Sequence, residues 1–183
     1  MKTLILDIET APILGAVWSL WKQNIGLNMI EKDWYILSFS AKWLGKKEVF
    51  YFDQELETDI EDDSKLLKEL YLLLDEADVV VAHNGRKFDV PKINTRFLLK
   101  NVAIPSPYKI VDTLDISKKH FRFTSNKLEY ISSQLCKKPK LKHTKFPGYD
   151  LWKEVLLGNK EAWKEMRKYN IRDVTSLEEV YLA

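Results

Sequence analysis

The chain opens on an apolar run, Leu4-Ile5-Leu6, that stops at Asp7-Ile8-Glu9-Thr10. A short run of this kind predicts a buried central strand. Ala11 to Asp33, with Pro12, Gly15 and Gly26, reads as an irregular connection with one helical turn. From Trp34 to Leu44 the pattern alternates and is rich in β-formers, which predicts a second strand; Gly45-Lys46-Lys47 is a turn and Glu48 to Phe52 a third strand. The short turns predict an antiparallel meander. Asp63 or Ser64 then caps a helix to about Leu74, with apolar residues at 66, 67, 70, 73 and 74. Asp78 to Ala82 is a fourth, fully buried strand, Lys87 to Lys100 a helix, and Lys109 to Asp112 a fifth strand. Helices follow over Thr124–Leu135, Tyr149–Leu157, Lys160–Arg167 and Asn170 to the end. Hairpin-linked strands followed by strand–helix–strand crossovers predict an α/β fold: a mixed five-stranded sheet, three strands antiparallel and two parallel, flanked by helices.

Composition adds little to this until charge is placed along the chain. A length of 183 residues suits one domain, 1–183, and 45% hydrophobic with 31% charged residues is ordinary for a globular protein. Cys136 is the only cysteine, which excludes a disulfide framework and a thiolate zinc site and fits a reducing, cytoplasmic compartment. No apolar run approaches membrane-spanning length. The net charge of +2 conceals an asymmetry: residues 1–80 carry 8 Lys/Arg against 16 Asp/Glu, whereas residues 81–183 carry 21 against 11. A basic loop, Cys136 to Gly148, contributes Lys137, Lys138, Lys140, Lys142, His143 and Lys145. Solvation or contact with phosphate both answer the mutual repulsion of its lysines, with phosphate contact favoured and Lys142 a candidate ligand.

Three stretches carry candidate chemistry. Asp7 and Glu9 are two apart on a strand, hence on one face and about 6–7 Å apart. Acids gain nothing from burial at the end of an apolar strand unless a cation offsets the cost. Asp89 closes His83-Asn84-Gly85-Arg86-Lys87-Phe88-Asp89, where the fourth strand ends and a helix starts; it can face Asp7 across the sheet edge where α/β folds place ligands. Tyr169 and Asp173, four apart, share a helical face. Asp112, in Asp112-Thr113-Leu114, reads as a helix cap. Trp18 and Trp21 are spaced for packing under their loop, with stacking on a terminal base as the alternative for Trp18.

In order and spacing, Asp7 with Glu9, Asn84 with Phe88-Asp89, and Tyr169 with Asp173 resemble the three motifs of the DEDD superfamily of 3′–5′ exonucleases, over essentially the whole chain. The second motif is most similar to that of the exonuclease domain of family B DNA polymerases and its stand-alone relatives. In the histidine subtype a His lies five residues before the last Asp; Lys168 stands there, and Tyr169 marks the tyrosine subtype. The resemblance implies an RNase H-like fold and a free-standing, metal-dependent 3′–5′ exonuclease releasing nucleoside 5′-monophosphates. It further implies two Mg²⁺ or Mn²⁺ ions about 3.5–4 Å apart, held by Asp7, Glu9, Asp89 and Asp173. Tyr169 would orient the nucleophile, and Ile8, Thr10, Asn84 and Phe88 would hold the terminal nucleotide. Single-stranded DNA 3′ ends are the expected substrate, with RNA as an alternative, and a separate polymerase or replication and repair proteins the expected partners. A non-catalytic nucleic-acid-binding module is the reading from another class; an endonuclease or resolvase lacks support from Tyr169.

Overall fold

The computed structural model describes residues 1–141 and 143–183. In chain order the elements are β1 (Thr3–Thr10), β2 (Leu14–Gly15), a 3-10 turn (Leu27–Met29), β3 (Ile30–Lys32), β4 (Ile36–Trp43), β5 (Phe50–Asp53), α1 (Ser64–Glu76), β6 (Val79–Ala82), α2 (Asp89–Leu99), β7 (Lys109–Asp112), α3 (Thr113–His120), α4 (Leu128–Leu135), α5 (Asp150–Leu156) and α6 (Lys160–Leu182). A five-stranded mixed sheet runs β5-β4-β1-β6-β7, antiparallel through β5, β4 and β1 and parallel through β1, β6 and β7. This is an RNase H-like arrangement with β1 at its centre. The predicted sheet and its strand directions agree with it.

Period-two alternation in β1 sorts its side chains between two cores. Leu4, Leu6 and Ile8 pack with α1 and α2, through Leu66, Leu67, Leu70, Leu74, Ile93 and Phe97. Ile5 faces the other way, under Val174 and Leu177 of α6. Asp7 and Glu9 continue that second face, so the strand delivers both acids beneath α6. A third cluster, Leu151, Val155, Trp163 and Met166 around Tyr35 and Leu37, binds α5 and the start of α6 to the sheet. Full burial of each such side chain is worth about 1.5–3 kcal/mol.

Four expectations about elements are corrected. Residues 160–182 form one unbroken helix rather than two, because Lys168 and Tyr169 carry no breaker and Met166 and Asn170 stay buried through the join. An extra helix, α3, follows β7 directly; Asp112 caps it, accepting from the Leu114 and Asp115 amides, while Asp63 makes no side-chain cap on α1. Asp63 is instead fully buried, bound by Arg96 Nε at 2.7 Å and by the Ile36 amide at 3.0 Å. Trp18 and Trp21 do not pack under their loop: they are 94% and 82% exposed.

Candidate active site

Parallel pairing of β6 with β1 runs only from Thr3 to Ile5. Beyond it the β1 backbone has no strand on that side, and Asp89, at the start of α2, accepts from the Ile8 amide at 3.2 Å. The turn that brings Asp89 there is tight. A Cβ at Gly85 would lie 2.4 Å from that of Ala82, and Asn84 takes a positive φ of 73°, a conformation that suits Asn better than most residues. The Asp112 carboxylate holds the turn from below, accepting from the Asn84 and Arg86 amides at 2.9 and 3.0 Å.

On the other edge, Asp7 and Glu9 pair with Ser40 and Ser38 of β4. From above, α6 lowers Asp173 into the same space. Carboxylate oxygens of Asp7, Glu9 and Asp173 lie within 4.8 Å of one another. Asp89 is outside this trio but flanks it through the Ile8 amide. Asn170, fully buried one turn before Asp173, fixes Asp7: its Nδ2 donates to Asp7 Oδ2 at 2.5 Å, and its Oδ1 accepts from Ser38 Oγ at 3.2 Å.

Among the described residues, four acids here face the ammonium of Lys140. Lys140 Nζ sits 2.5 Å from Asp173 Oδ2, while buried Asp173 Oδ1 has no hydrogen-bond partner among the described residues. Burial pushes Asp7 up to about 6 despite Lys140 and Asn170. Burial and repulsion from Asp7 push Asp173 up to about 8, more than Lys140 can reverse. Glu9 rises well above the carboxylate range through burial and the charges of Asp7 and Asp173, and Asp89 through burial and Asp7. An all-oxygen donor set with a spare buried oxygen and excess negative charge fits hard divalent cations such as Mg²⁺ or Mn²⁺.

Tyr169 sits in an aromatic cage. His143 and Trp152 meet its ring edge-to-face at centroid separations of 5.1 and 6.3 Å, and Lys140 Nζ lies 4.4 Å from the ring centre. Burial, with the charges of Asp173 and Glu9, holds the phenol well above its ordinary pKa although Lys140 opposes this. It is therefore a neutral hydrogen-bond donor across the physiological range.

The remaining candidates are scattered. Thr10 is partly buried at the bulged end of β1. Ile8 needs correcting: its side chain lies in the core and its amide is bound to Asp89. Phe88 is 37% exposed, with Lys92 Nζ 5.3 Å from its ring centre. Trp18 projects from the surface, and Lys142 lies outside the described residues. Sequence reasoning missed Asn170, the placement of Lys140 on Asp173, and the His143–Trp152 cage. Only Asn170 had a local signal, lying three residues before Asp173 on the same helical face.

No curated protein matches the chain. A family B DNA polymerase from the hyperthermophilic archaeon Pyrobaculum calidifontis has a similar fold, with a TM-score of 0.67 and 15% identity. That likeness covers 99% of this chain and 24% of the polymerase, so the chain spans about a quarter of its length. The family model described as the RNase_H superfamily matches residues 24–183, and with the sheet order around β1 this makes the chain a member of the RNase H superfamily.

Proposed function

We propose that the protein is a metal-dependent 3′–5′ exonuclease of the tyrosine DEDD type, acting on single-stranded DNA and releasing nucleoside 5′-monophosphates. The observation that carries this reading is the convergence of Asp7, Glu9 and Asp173 within 4.8 Å, with Tyr169 one turn from Asp173. Asp7, Glu9 and Asp173 would hold divalent cations, with Asp89 supporting from the flank. The chemistry such cations supply when bound is activation of water and neutralisation of charge at the leaving oxygen.

The chain's own groups do the rest. Asn170 keeps the Asp7 carboxylate turned into the site. Tyr169 donates a hydrogen bond that orients the attacking water, since its raised pKa denies it the role of general base. Lys140, against both Tyr169 and Asp173, is placed to meet a phosphate oxygen. Asn84 and Phe88, beside Asp89, are left to receive the terminal nucleotide.

The test is digestion of 5′-labelled single-stranded DNA and RNA of matched sequence in Mg²⁺, Mn²⁺ or EDTA, with Asp7→Ala alongside. A ladder shortening from the 3′ end is expected with metal, faster on DNA, and absent in EDTA and in the variant. Tight binding without cleavage of either strand would instead support a nucleic-acid-binding module.

A further inference from the structure

A groove runs from the carboxylate centre past Tyr169 and Lys140. Its first part, about 650 Å³, is lined by residues including Lys118, Asn126, Lys127, Lys140 and Tyr169. A second cleft of about 440 Å³ shares Lys127, Glu129 and Lys140 with it and extends toward Ser125 and Tyr130. Lys140 and Tyr169 therefore stand where the groove meets the site.

The walls are fixed from beneath. His83, at the end of β6, bonds Thr113 Oγ1 at 2.9 Å and the Asn126 carbonyl at 3.0 Å; Ser117 Oγ donates to Asn126 Oδ1 at 2.5 Å. Burial lowers the His83 pKa, and both ring nitrogens are engaged, so this imidazole is a strut and not an anion ligand. Lys118, on the last turn of α3, and Lys127, before α4, are exposed, and neither makes an ion pair among the described residues. Glu129 is the one carboxylate among the lining residues of both clefts. Asn84 and Phe88 line neither.

We propose that this groove holds the stretch of single-stranded DNA immediately 5′ of the phosphodiester being cut, with Lys118 and Lys127 each contacting one backbone phosphate. The assignment rests on the exonuclease reading: with the terminal nucleotide at Asn84 and Phe88, a strand passing Tyr169 and Lys140 enters the groove. Its positive charge without base-reading pattern suits a sequence-independent polyanion.

The test separates the groove from the chemistry. Binding of fluorescent dT12 in EDTA is measured by anisotropy across a salt series. Hydrolysis of the p-nitrophenyl ester of thymidine 5′-monophosphate, which has no upstream strand, is measured with Mn²⁺. For Lys118→Gln/Lys127→Gln, roughly tenfold weaker dT12 binding is expected, with the log–log salt slope reduced by about 1.4, or about 0.7 per lost phosphate contact. Lys118→Gln alone should lose about half that slope, and ester hydrolysis should stay within about twofold. Parental affinity and slope in the double variant would overturn the groove assignment, as would loss of ester hydrolysis in step with oligomer cleavage. Should the parent hydrolyse neither substrate, the exonuclease reading fails, while the salt slopes still decide whether this groove binds DNA.

Discussion

Asn170 does more for the site than its silence in the sequence suggests. Its amide ties Asp7 on β1 to Ser38 on β4 from a helix that carries Asp173, so one side chain registers three elements. Asn170→Ala leaves Asp7 and Ser38 without that partner and should cost about 1–3 kcal/mol of stability. Cleavage should fall further than folding does, which a denaturant titration and a kinetic assay on one preparation will compare. Tyr169→Phe removes only a hydroxyl from a cage that stays packed. Its expected result is a loss of about 10²-fold or more in kcat with unchanged melting temperature. Because the phenol is held well above its ordinary pKa, the parent's rate should show no decline assignable to Tyr169 below pH 10.

At the scale of elements, the site is a strand end, a helix start and a helix middle brought together. The strand end and helix start were legible: an apolar run stopping at two acids, and a buried strand turning through Asn84-Gly85 into Asp89. Asp173 was legible by its spacing from Tyr169. The unbroken α6 was not, because two polar residues, Lys168 and Tyr169, interrupt its apolar stripe where the helix turns from the α5-side cluster toward β1. Nor was the reach of the 136–148 loop, since contacts such as Lys140 to Asp173 and His143 to Tyr169 depend on a path that no local periodicity encodes. The convergence has a cost that depends on pH. Asp7 and Asp173 bind protons more tightly folded than unfolded, so between about pH 4 and 8 the unfolded chain holds fewer protons and stability falls as pH rises. In EDTA the melting temperature should accordingly be lower at pH 8 than at pH 5.5, and Mn²⁺ should raise it more at pH 8. Equal Mn²⁺ shifts at both values would count against a carboxylate cluster that takes metal.

Over the whole molecule, acidic and basic halves of the sequence meet at the carboxylate centre and again between α1 and α2. β1 supplies Asp7 and Glu9, while Lys140 comes from the basic half beside Asp173. No helix among the described residues is long and apolar enough to cross a membrane. A separate ion pair secures the far side: Arg96 reaches both oxygens of fully buried Asp63 at 2.7 Å, tying α2 to the start of α1 and to β4. Arg96→Met strands that carboxylate and should cost about 3–5 kcal/mol in a denaturant titration, and Arg96→Met/Asp63→Leu should recover much of it.

The unbroken α6 has a last consequence. Its amides from Tyr169 to Asp173 sit near the middle of a 23-residue helix packed on β1 and β4, not at a fraying end. The carboxylate centre should thus open only with the whole fold, while the loop with exposed Trp18 and Trp21 is bound by little. Hydrogen–deuterium exchange should show the amides of 169–173 protected as long as those of β1, and those of 17–24, none of which donates to another backbone carbonyl among the described residues, exchanging within the shortest labelling time.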